Sequence, residues 1–183
     1  DLLYRWGNPQ AYNAGDESDR QLFFQHDPKW IETGDPGAGN ITVFSNGLSG
    51  PERSSIVEIQ TTVDAFGDYA VPAPGTAHGP SAPVFSYTAP YADYSMIISG
   101  TQRLDNGNTL LTYGGDGTFV EVTPNGEEVW RYTNPYTGAG MLGPSDPVPP
   151  LGFVDLDQNF VFRATNYDPG YFDAGLIPAI PTA

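Results

Sequence analysis

Two histidines, His26 and His78, are the imidazoles of the chain, and their settings differ. His26 stands in Gln25-His26-Asp27, with Pro28 next and Arg53 further on in Arg53-Ser54-Ser55. A neutral imidazole is a nucleophile near neutral pH, and a neighbouring acceptor can fix its tautomer. The planar fork of an arginine holds the oxygens of an anionic group in transfer. His26 and Arg53 are therefore the candidate catalytic residues, with Asp27 and Asn46 as candidate substrate-binding residues. Asp27 could orient His26 only outside a regular strand, because strand neighbours point to opposite faces. Pro28 pushes Asp27 towards an extended or turn conformation. The competing reading of His26 is a hydrogen-bonded residue that closes a sheet edge.

Other chemistry-bearing residues read more plainly as structure. His78 lies in Gly75-Thr76-Ala77-His78-Gly79-Pro80, a loop sequence, and is expected at the surface. Asn40, Asn46 and Asn108 could donate amides to an anion, but such residues more often complete turns. Asp105-Asn106-Gly107-Asn108 and Gly114-Gly115-Asp116-Gly117 cluster oxygens that would suit calcium. Neither has the spacing of a known calcium loop, so turns are preferred and no cofactor or metal is expected. Glu58 and Glu121 hold equivalent places in two repeats and read as architectural, paired with Arg53 or Arg103. Trp6, Trp30 and Trp130 read as packing residues. No P-loop, dinucleotide fingerprint, zinc spacing or serine elbow occurs.

The elements that must position these residues are strands. Of 183 residues, 22 are Gly and 18 are Pro, which means many turns and few long helices. Aromatic and β-branched residues gather in short runs, as half-buried strands require. Gly39-Asn40-Ile41-Thr42-Val43 recurs as Gly107-Asn108-Thr109-Leu110-Leu111, and Ile56-Val57-Glu58-Ile59 as Phe119-Val120-Glu121-Val122. Asn106-Gly107 and Asn125-Gly126 are hairpin turns, the second joining 118–123 to 128–132. A third, weaker copy is read at Leu156–Arg163, aligned with the stretch that starts at Leu104. The unit is strand, turn, strand, turn, strand, the signature of small antiparallel sheets repeated around an axis.

The expected fold is all-β, with antiparallel propeller blades over 1–167, a long loop at 64–83 and an extended tail at 168–183. A strand is expected at Leu2–Trp6, a helical turn capped by Ser18 within 16–24, and an extended connector at 138–150. Two or three blades leave faces and edges open, so a preceding segment or other chains are expected to complete the ring. An opening in mid-pattern reads as a mature or clipped portion.

Charge narrows the partners. The formal net charge of −15, from 22 acidic and 7 basic residues, argues against nucleic acid and against an anionic membrane surface. There are no cysteines, hence neither disulfides nor thiolate catalysis. No apolar run is long enough to be a membrane-spanning helix.

Taken in order, the motifs resemble a family. Asp1-Leu2-Leu3-Tyr4-Arg5-Trp6-Gly7-Asn8-Pro9 resembles the opening of a late blade in bacterial arylsulfotransferase-like proteins. Gln25-His26-Asp27, Gly39–Gly47 and Arg53-Ser54-Ser55 are similar to their His-Asp blade motif. Gln102-Arg103-Leu104-Asp105-Asn106-Gly107-Asn108-Thr109 is similar to their recurrent turn, and Asn159–Ala164 to their C-terminal end. The resemblance implies a six-bladed, exported propeller, periplasmic or extracellular, that moves a sulfuryl group from a phenolic sulfate donor to a phenol acceptor. It also implies a transiently sulfurylated histidine, here His26. Where an active blade of that family presents a histidine, the second copy carries Ser99-Gly100-Thr101. The alternative expectation is a non-catalytic extracellular structural or binding module that assembles with other chains.

Overall fold

The structure is a computed structural model that describes residues 2–152, 156–168 and 170–171. Two four-stranded antiparallel sheets dominate it. The first runs β1 (Gln25–Trp30), β2 (Ile41–Ser45), β3 (Ser55–Ile59) and β4 (Phe85–Thr88), each strand paired with the next. The second repeats that order with β5 (Gly100–Arg103), β6 (Thr109–Tyr113), β7 (Thr118–Val122) and β8 (Glu128–Thr133). A two-stranded hairpin follows, β9 (Tyr136–Thr137) with β10 (Gly140–Met141). No α-helix occurs among the described residues, only short 3-10 turns.

The internal repeat is legible in the registers. Val43 pairs with Val57 in the first sheet, and the equivalent Leu111 pairs with Val120 in the second. Ile56 faces Tyr87 as Phe119 faces Tyr132, and Glu58 faces Phe85 as Glu121 faces Trp130. Asn40 donates to Glu58, and Asn108 donates to Glu121 at 2.6 Å. The repeated glutamates thus tie the second strand of each sheet to the third. Glu58 also meets Arg103 across the two sheets, and both side chains are buried.

Strand alternation gives each sheet two faces. Phe44 and Ile56, with Phe85 and Tyr87 beside them, pack against Leu111, Tyr113, Val120 and Val122 of the second sheet. Phe44 and Tyr113 meet edge to face at 6.0 Å. Each buried aliphatic or aromatic side chain there stabilises the fold by about 1.5–3 kcal/mol. The opposite face of the first sheet, Val43, Val57 and Ile59, is covered by Trp6 and Leu22.

Several expectations need correction. Leu2–Trp6 is not a strand and pairs with none among the described residues; side chains hold it instead, Tyr4 Oη on Gly79 O (2.8 Å) and Trp6 Nε1 on Pro80 O (2.7 Å). The turn at Glu17–Asp19 is capped by Asp16, which accepts from Ser18 N and closes a capping box with Asp19. The 138–150 connector begins with the β10 strand of the small hairpin. The 64–83 stretch is a loop bearing one isolated bridge, Val63 to Tyr69. Of the tail, 172–183 lies outside the described residues.

The third copy also sits in a different phase. Val161 N donates to Gly114 O at 2.9 Å, Ser99 N to Phe162 O at 3.1 Å, and Ala164 N to Thr112 Oγ1 at 3.2 Å. Residues 161–166 therefore lie along the second sheet as 98–103 lie along the first, each shifted by 63. They match the first strand of a repeat, not the second.

Candidate functional site

His26 is positioned by a broken ladder. It faces Phe44 across β1–β2, but the register then slips and resumes at Lys29 opposite Thr42. Asp27 takes up the slack with a positive φ of 52°, a bulge that re-aims a side chain. His26 stays on the strand, half-buried, with the Phe24 ring edge-on at 5.7 Å.

Behind it lies Asn46, with no accessible surface. Asn46 Nδ2 donates to Ser95 O at 2.7 Å and to Ile98 O at 2.9 Å. Both acceptors are carbonyls, so the amide has one orientation and Oδ1 must accept. His26 Nδ1 lies 2.7 Å from that oxygen and donates to it. In the neutral imidazole the proton is thereby fixed on Nδ1, and Nε2 keeps its lone pair.

The support continues inward as a buried hydroxyl network. Ser54 Oγ donates to Asn46 O and Ser95 O, and accepts from Ser95 N at 2.9 Å. Ser99 Oγ donates to Ser95 Oγ at 2.9 Å, and both hydroxyls receive backbone amides, Gly114 N and Gly115 N. Ile98 and Ser99 hold positive φ values of 51° and 86°. For a β-branched residue that geometry is costly, about 1–3 kcal/mol. It turns the Ile98 carbonyl onto Asn46.

The other sequence candidates lie elsewhere in the arrangement. The Asp27 carboxylate makes no bond to His26; it binds Lys29 Nζ at 2.8 Å, Arg163 Nη1 at 3.1 Å and Thr101 N at 3.2 Å. Arg53 is exposed beyond the β2–β3 turn, with Nη2 on Ala89 O. Gly47 makes that turn possible, since a Cβ there would stand 2.3 Å from Arg53 O. Among the described residues no hydrogen bond joins Arg53 to His26. His78 is half-buried between the rings of Tyr4 and Tyr12, edge-on to each. In the Asp105–Asn108 turn, Asn106 and Asn108 both donate to Glu121.

Sequence reasoning missed Arg163. By register, His26 opposite Phe44 corresponds to Gly100 opposite Thr112, and the shift of 63 carries Gly100 to Arg163. His26 and Gly100 hold the same place in the first strands of the two sheets, and Arg163 follows Gly100 by that shift in a segment with no strand of its own. Arg163 remains more than half exposed although it reaches Asp27. The signal available in the sequence was the 63-residue offset itself, read one strand later.

A cleft of about 330 Å³ opens elsewhere, between Glu32, Asp35, Arg103, Asp105 and Tyr167. Its carboxylates suit no anionic substrate. Comparison with protein-family models, with curated proteins and with solved structures gives no match.

Proposed function

We propose that the two sheets are blades of a β-propeller, and that the exported protein transfers a sulfuryl group between phenolic compounds through His26. The observation that carries this reading is the Asn46 amide, which leaves Nε2 of His26 with a free lone pair. That atom attacks the sulfur of an aryl sulfate, the S–O(aryl) bond breaks, and the phenolate departs with its electron pair. An acceptor phenol then attacks the sulfur, its proton passes through solvent to the released phenolate, and the N–S bond breaks with its electron pair returning to Nε2. Nδ1–H stays on Asn46 throughout and stabilises the charged imidazolium adduct. Positive donors are needed where negative charge gathers on the sulfuryl oxygens. Arg53 is one candidate clamp; Arg163, equivalent in position to His26, is the other.

The test is turnover of 4-nitrophenyl sulfate with phenol as acceptor, in the full assembly the protein forms. His26→Ala abolishes transfer on this reading, and Arg163→Ala lowers it more than Arg53→Ala does. Transfer that persists unchanged in His26→Ala rules out the assignment.

A second reading, a non-catalytic assembly module, is favoured by one feature. Trp130 and Tyr132 of β8 are each 46% exposed on a sheet face that the described residues cover only in part, the kind of surface that marks association. A purified chain that assembles with partner chains yet turns over no aryl sulfate favours this reading.

A further inference from the structure

The second sheet has a face whose counterpart in the first sheet is covered. In the first sheet, Thr42, Phe44, Ile56, Glu58, Phe85 and Tyr87 share that face by register, and the second sheet packs onto it. The equivalent residues of the second sheet are Leu110, Thr112, Phe119, Glu121, Trp130 and Tyr132. Phe85 and Tyr87 are packed against the inter-sheet core, whereas Trp130 and Tyr132 stand open. The rings there are already ordered, Phe119 against Tyr132 at 6.0 Å and Trp130 against Tyr132 at 6.1 Å, each pair nearly parallel.

One part of this face is occupied. Residues 161–166 lie along it as 98–103 lie along the first sheet. Asn166 takes the place of Arg103, and Glu121, the counterpart of Glu58, lines a hollow of about 310 Å³ with Asn166, Phe119 and Trp130. The positions that β6, β7 and β8 fill over the first sheet have no equivalent over the second among the described residues.

We infer that this face seats a third antiparallel sheet: residues 161–166 form its first strand, and a partner segment supplies three more with an aliphatic face like that of β6–β8. The inference rests on the repeat reading of the fold and not on the chemistry of His26. The stacking is head to tail, one face of a sheet on the opposite face of the next, so it is not self-complementary. A second copy of the chain does not suit, because its matching face, Val43, Val57 and Ile59, is covered by Trp6 and Leu22. The chemistry required is a Val/Leu/Ile stripe to cover Phe119, Trp130 and Tyr132, and a free strand edge to pair with 161–166.

The chain contains no cysteine, so one introduced thiol reports one place. Tyr132→Cys is placed in the full chain and in a chimera in which a second copy of residues 104–134 follows Asn166. The added segment is the chain's own three-stranded unit, set where it follows β5 naturally. Labelling of Cys at 132 is expected to slow about tenfold or more in the chimera, while Val63→Cys, in the distant loop, labels equally in both. Equal rates at 132 overturn the inference. So does protection in the unextended chain that grows with its concentration, since that makes a second copy the occupant.

A second comparison needs no chimera. Phe85→Thr with Tyr87→Thr is expected to lower the melting temperature of the full chain by about 5 °C or more. Trp130→Thr with Tyr132→Thr is expected to leave it within about 2 °C. Equal losses mean that the face is already satisfied inside the chain, and the inference fails. Neither readout depends on sulfuryl transfer, so a failure here and a failure of the proposed activity are told apart.

Discussion

The Asp27 carboxylate occupies the space that a side chain on Gly100 would need. A Cβ at Gly100 would stand 2.4 Å from Asp27 Oδ2, and Thr101 N donates to that same oxygen at 3.2 Å. The carboxylate crosses from the first sheet over Gly100 to reach Arg163, so three repeats are latched by one residue. A histidine at the place of His26 in the second sheet would meet that carboxylate.

Gly100→Ala is accordingly expected to destabilise the chain by about 1–3 kcal/mol through overpacking, with Asp27 displaced from Thr101 N. Asp27→Ala removes the obstacle. In the double variant the alanine at 100 costs less than it does alone, and urea unfolding of the four proteins measures that coupling. Strict additivity sinks the latch.

Asn46→Ala leaves the half-buried Ile98 carbonyl without its Asn46 donor and the Ser95 carbonyl with Ser54 Oγ alone, a loss of about 1–3 kcal/mol. It also frees the imidazole to take either tautomer. Nitrogen NMR of His26 at a pH where the ring is neutral should show protonated Nδ1 in the parent chain and a mixture in the variant. A parent spectrum with the proton on Nε2 contradicts the orientation of the Asn46 amide.

Glu58 and Arg103 are buried partners between the sheets. Arg103→Met strands a carboxylate that retains only Asn40, at a cost of about 3–5 kcal/mol. Pairing it with Glu58→Met removes the stranded charge, so the double variant should be more stable than Arg103→Met alone. Chemical denaturation of the two decides it.

Asp116 gives the fold a pH dependence. Burial is the main cause that lifts its carboxyl from 3.8 to about 7; Asp93 and Asp157 push the same way, against its own backbone hydrogen bond and Arg131. A pKa raised in the folded state means that the folded chain binds this proton more tightly than the unfolded one. The stabilisation is complete below about pH 4 and is lost as pH rises through 7. Asp116→Asn should flatten that slope and raise the melting temperature at pH 7.5, and a calorimetric series between pH 4 and 8 reads both.

Much of the architecture could be read from the chain. Asn40–Val43 against Asn108–Leu111, and Ile56–Ile59 against Phe119–Val122, placed the second and third strands of both sheets, because period-2 apolar runs and Asn-Gly turns are local signals. The first strands were less visible. Gln25–Trp30 is interrupted by the Asp27 bulge and carries Pro28, and β5 opens on a bare glycine. Leu2–Trp6 has the composition of a strand but pairs with none among the described residues, and pairing is not a local property. His26 was found by residue type, whereas its partner Asn46 reads in sequence as a turn residue; only the fold brings Ser95 and Ile98 round to fix it. Arg163 stayed hidden because its repeat lacks the hairpin that makes the other two recognisable.

Each of the 7 lysine and arginine side chains is engaged. Lys29 and Arg163 share Asp27, Arg103 holds Glu58, Arg131 holds Asp93 and Glu128, Arg20 meets Glu17, Arg53 binds Ala89 O, and Arg5 lies over the Tyr12 ring. With 22 acidic residues against 7 basic ones, the surplus of 15 carboxylates repel one another with no internal charge left to offset them. Dissolved ions supply what the sequence does not. A rise in ionic strength screens that repulsion across the whole surface while the buried pairs between the sheets feel little of it, so ordinary salt is expected to help hold this polyanion folded.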